Sequence, residues 1–105
     1  MDQEEISSEL IRRYEEMLRS GERRYFDAED IEDIAYEYEL SEQYQAALDV
    51  IEYGLQLHPG NPELLGRRSG YLRCLARIDE AEQHMAAMQS HTVAALRIKA
   101  AIPLL

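Results

Sequence analysis

An all-α chain of about five main helices is what this 105-residue sequence predicts. Three observations carry that reading. Apolar residues recur at steps of three and four rather than two, the spacing that builds one face of a helix. Gly and Pro sit where helices should stop or start, at Gly21, Pro59-Gly60 and Pro62. A hydrophobic fraction of 46% supplies enough apolar material for one core, and the length suits a single domain over residues 1–105.

Ile6, Leu10, Tyr14, Met17 and Leu18 fall on one stripe of a first helix, ended by Ser20-Gly21, with Glu5, Arg12, Glu16 and Arg19 on its other face. Arg23 to Phe26 connect it to the next helix, with Tyr25-Phe26 expected to plug in beside it as a staple-like contact. Asp27 is the expected N-cap there, and Glu29 and Asp30 place negative charge in the first turn. Ser41 is expected to cap a third helix through Ala46, Ala47, Val50, Ile51 and Leu55, stopping at Leu57-His58-Pro59-Gly60. Asn61-Pro62-Glu63 restarts the pattern with an N-cap, a proline at the first helical position and an acid behind it. Gly66 and Gly70 lie inside this helix at a propensity cost of roughly 1 kcal/mol each, which points to close approach of another backbone.

Over Ala28 to Asn61, Ile31, Ile34, Ala35 and Tyr38 stand where the tetratricopeptide pattern W-x2-L-G-x2-Y places its helix A core residues. Ala47, Ile51, Gly54 and Pro59 take the places of the helix B small residue, aromatic, second small residue and closing proline. The stretch resembles a tetratricopeptide repeat. The resemblance implies a right-handed α-solenoid of antiparallel helix pairs, with residues 1–26 as an N-terminal helix and connector, 28–61 as repeat 1, 62–91 as repeat 2 and 92–105 as a partial repeat or capping helix. In repeat 2, Leu65, Arg68, Ser69 and Leu72 take the helix A places and Ala81, Met85 and Met88 those of helix B. Leu96, Lys99 and Ala100 begin a third unit, where Pro103 should bend or end the helix near Ile102. The register predicts a continuous core of Leu18, Ile34, Tyr38, Ala47, Ile51, Leu65, Leu72, Ala81 and Met85.

Charge excludes several functions. Residues 1–53 hold 17 Asp and Glu against 5 Arg, net −12, and residues 54–105 hold 4 against 6, net +2. Ten acids and no base lie between Asp27 and Glu52. Such a surface repels nucleic-acid phosphates and anionic lipid, because both are bound through Lys and Arg. No 18-residue apolar run and no basic-then-apolar leader is present, and with one cysteine, Cys74, no internal disulfide can form, so a cytoplasmic protein is expected.

Chemistry-bearing constellations are sparse. His84 and His91 lie seven apart without the further ligands a metal needs, and Cys74 sits beside Leu72 and Leu75 without a nearby His or Asp. There is no phosphate-binding Gly loop and no Ser-His-Asp spacing, so neither enzyme activity, a metal nor a cofactor is expected.

Repeats of this kind bind peptides on a concave face lined by helix A residues. Carried over by the resemblance, Glu29, Glu32, Tyr36, Glu39 and Leu40 face that groove from repeat 1, and Gly66, Gly70 and Arg73 from repeat 2. Members that clamp a peptide's C-terminal carboxylate use Lys, Arg and Asn at such places. Here Glu32 would repel that carboxylate. The expectation is an adaptor whose acidic groove receives a basic or amphipathic segment of another protein. The alternative is a homodimer closed by the apolar C-terminal end, through Leu96, Ile98, Ile102, Leu104 and Leu105.

Overall fold

The computed structural model describes the backbone of residues 3–101 and the side chains of residues 4–89. It is all-helical: α1 (Gln3–Ser20), α2 (Ala28–Leu40), α3 (Tyr44–Leu57) and α4 (Pro62–Ala101), with no strand among the described residues. The chain divides into two compact units, Met1–Cys74 and Leu75–Leu105.

The first unit is built around an αα-hairpin. α2 and α3 pack together across a three-residue connection, 41–43. Ile31, Ile34 and Ala35 meet Ala47, Leu48, Val50 and Ile51 in a buried layer, which the bulky-small spacing of the sequence anticipates. Gly54 marks the closest approach, since a Cβ built there would lie 2.5 Å from Ile31 Cγ2. Nothing comes within 4 Å of a Cβ at Gly66 or Gly70, so the close backbone contact expected there does not exist.

α1 adds Leu10, Tyr14 and Met17 to the core but leaves Leu18 exposed, contrary to expectation, because Leu18 lies at the edge of the stripe just before the chain turns away at Gly21. Phe26, in the connector, is buried against Tyr14 with ring centroids 6.2 Å apart in an edge-on arrangement, while its neighbour Tyr25 is exposed. Two further links fasten the connector to α3: the Tyr53 hydroxyl donates to the Arg24 carbonyl, and His58 Nε2 donates to the Phe26 carbonyl at 2.8 Å.

The connections differ in part from the sequence reading. Asp27 caps α2 in extended backbone without a side-chain hydrogen bond. Ser41 ends α2 rather than starting α3: its hydroxyl donates to the Tyr38 carbonyl at 3.1 Å, and Gln43 is the N-cap of α3. The paired bonds Gln43 N to Tyr38 O and Glu42 N to Glu39 O, both 2.9 Å, form a Schellman turn that puts Glu42 in left-handed backbone with φ 60°. A side chain there costs roughly 1–2 kcal/mol. Glu42→Gly is therefore expected to raise stability by about 1 kcal/mol in urea unfolding. At the third junction Asn61 Oδ1 accepts the Leu64 amide at 3.0 Å, so the cap and proline start α4 as expected.

Two corrections concern α4. Four helices, rather than about five, are formed among the described residues, because Pro62–Ala101 is one continuous helix with no break between the expected helix A and helix B. Its sequence from Tyr71 to Gln89 contains no Gly, Pro or Asn to stop it. The buried face is also offset by one residue. Leu64 and Tyr71 are buried, whereas Leu65 and Leu72 are exposed. In the second unit every described side chain from Ala76 to Gln89 is exposed, so Ala81 and Met85 are not core residues there.

Candidate functional site

Glu29, Glu32, Tyr36 and Glu39 recur at steps of three and four along α2, which puts them on one stripe. The structure brings two of them onto a residue the sequence reading passed over. Arg67, from the second turn of α4, places Nε 3.1 Å from Glu32 Oε1 and its other guanidinium edge 3.9 Å from Glu39 Oε1. Tyr71, one turn on, donates its hydroxyl to Glu39 Oε1 at 2.8 Å. Glu32, Arg67, Tyr71 and Glu39 thus form a half-buried polar network that joins α2 to the first turns of α4. A parallel pair, Arg68 Nε to Glu52 Oε1 at 2.7 Å, joins α4 to α3. Glu29 and Tyr36 stay exposed, Tyr36 by 47%. Arg73 is exposed and makes no ion pair among the described residues.

Beside the network lies a cleft of about 250 Å³ lined by Glu39, Tyr44, Arg67, Gly70, Tyr71 and Cys74. Gly70 leaves its floor open, since a Cβ there would meet nothing. The Cys74 thiol is half-buried at one end.

Arg67 does not cancel the negative charge of this face. Partial burial, reinforced by Asp30 and Glu32, pushes the Asp33 carboxyl above its ordinary value even though Arg67 pulls it the other way. With ten acids and no base between Asp27 and Glu52, α2 keeps a negative surface that favours cations. Among the described residues no group of three or more His, Cys, Asp or Glu is placed to hold a metal, and no described helix is long and apolar enough to cross a membrane.

The phenols of this unit titrate late. Burial, with the hydrogen bond to Glu39 second, pushes the Tyr71 phenol up to about 12; burial, with Asp49 and Tyr53 adding to it, takes Tyr14 to about 12 as well. A folded-state value above the unfolded one means that the native state holds its proton more tightly. The stability this contributes is complete below about pH 10 and lost as pH rises through about 12. Thermal melts should therefore fall across that window. Tyr71→Phe should flatten the fall.

Arg67 and Tyr71 were hidden by the one-residue offset. The signal existed: Leu64 and Tyr71 follow Ile31 and Tyr38 at a shift of 33, which puts a tyrosine on the tyrosine place. Comparison with known protein families, curated proteins and solved structures finds no match for this chain.

Proposed function

We propose that this chain is a protein-interaction module of tetratricopeptide-like, right-handed solenoid character. In this reading the acidic stripe of α2 and the first turns of α4 receive a basic or amphipathic segment of another protein. The observation that carries it is the stripe of Glu29, Asp33 and Glu39 along α2 with the exposed ring of Tyr36 among them, inside a stretch of ten acids and no base from Asp27 to Glu52. Lys and Arg of a ligand would meet Glu29, Asp33 and the outer edge of Glu39, and Tyr36 would supply apolar contact. Arg67 is held by Glu32 and Glu39, which leaves it poorly disposed to clamp a peptide's terminal carboxylate. Arg73 lies farther along α4, where acidic groups of the same ligand could pair with it. Neither catalysis, a cofactor nor nucleic acid has a part in this proposal, and a cytoplasmic setting belongs to it.

A homodimer stays a second reading, because α4 keeps its described side chains exposed from Ala76 to Gln89. The residues first assigned to that role, Leu96, Ile98, Ile102, Leu104 and Leu105, have side chains outside the described residues.

A labelled peptide of alternating Lys and Leu tests the groove by fluorescence anisotropy. Glu29→Lys, which disturbs no internal pair, is expected to weaken binding roughly three- to tenfold, and added salt should weaken it further. Affinity indifferent to both changes would sink the proposal.

A further inference from the structure

The second unit offers a surface that the groove does not use. Within α4, Ile78, Ala81, Met85 and Met88 are spaced three, four and three apart, and the three large side chains are 42%, 59% and 57% exposed. A spacing of seven residues per two turns is the seam of a coiled coil, with Ile78 and Met85 at the a positions and Ala81 and Met88 at d. Helices in proteins draw most of their stability from packing one apolar face, and Ile78, Ala81 and Met85 of this seam are exposed.

We propose that this seam pairs with the same seam of a second copy of the chain, side by side, parallel and in register. Charge selects the occupant and the direction. Arg77 precedes Ile78 at the g position and Glu82 follows Ala81 at e; both are exposed and neither has an ion-pair partner among the described residues. In a parallel pair, each g residue faces the e residue five places on in the other helix, so Arg77 meets Glu82 twice, once on each side of the two-fold axis. An antiparallel pair centred on the same four seam residues would set Glu82 against Glu82. Charge also favours α4 over the other helices as the meeting surface, since residues 1–53 carry net −12 and residues 54–105 net +2. The proposal is independent of the α2 groove.

Sedimentation of the full-length chain from low to high micromolar concentration tests it. A reversible monomer–dimer equilibrium is expected. Ile78→Lys with Met85→Lys should abolish the dimer while leaving the circular dichroism of the first unit intact, because both positions are exposed. Arg77→Glu should weaken the dimer about tenfold by turning two attractions into repulsions, and adding Glu82→Arg should restore it. Ala81→Cys in a Cys74→Ser background should give a disulfide-linked dimer under mild oxidation, because like d positions face each other only in the parallel register. Glu29→Lys should leave the dimer unchanged. A chain that is monomeric at every concentration, a dimer that survives the double lysine change, or a dimer that Ala81→Cys does not cross-link would each overturn the proposal.

Discussion

Phe26→Ala is expected to lower the unfolding free energy by about 3–5 kcal/mol, the range for removing a fully buried aromatic side chain. Phe26 belongs to no helix, yet it is only 1% exposed and ties α1 to the end of α3. Its edge meets Tyr14 of α1, the Arg13 guanidinium lies 5.3 Å from its ring centre, and its carbonyl receives His58 beyond the end of α3. Truncation would leave a ring-sized void beside Tyr14 and loosen α1 from the hairpin. Domains of this size are stable by only about 5–15 kcal/mol, so the change takes a large fraction of the total. Urea unfolding monitored at 222 nm would read it as a lowered midpoint. A loss below about 1 kcal/mol would mean that the connector does not anchor α1.

Leu64→Ala and Leu65→Ala should separate widely although they are neighbours. Leu64 is fully buried, and its truncation should cost about 2–5 kcal/mol. Leu65 is 45% exposed, so its truncation should stay within roughly 0.5 kcal/mol. Equal effects, or the reverse order, would restore the register in which Leu65 and Leu72 are core.

That pair also shows what one sequence can and cannot reveal. The hairpin of α2 and α3 was legible because Ile31, Ile34 and Ala35 in α2, and Ala47, Val50, Ile51 and Gly54 in α3, recur at steps of three and four between the turn signals at Ser41 and Pro59-Gly60. In α4 the doublets Leu64-Leu65 and Tyr71-Leu72 satisfy the same seven-residue spacing in two registers, and periodicity alone cannot choose. The expected break between Leu72 and Ala81 came from the repeat pattern, whereas the local residues from Tyr71 to Gln89 favour continuing the helix. Removing that break also removes the partner that would have buried Ala81 and Met85. Of the candidate groove, the α2 stripe was readable from its spacing. Arg67 was not, because a pairing between Glu32 and a residue 35 positions away depends on how α4 docks.

The central claim is that the acidic stripe of α2 is a binding face. Amide chemical-shift mapping of the isotope-labelled chain, titrated with the Lys-Leu peptide at low salt, tests it most directly. The account predicts saturable shifts concentrated at Glu29, Asp33, Tyr36 and Glu39, extending to Gly70 and Arg73 on α4 and fading as salt is added. Shifts confined to the outer face of α1, or spread evenly over every carboxylate-bearing helix, would contradict it.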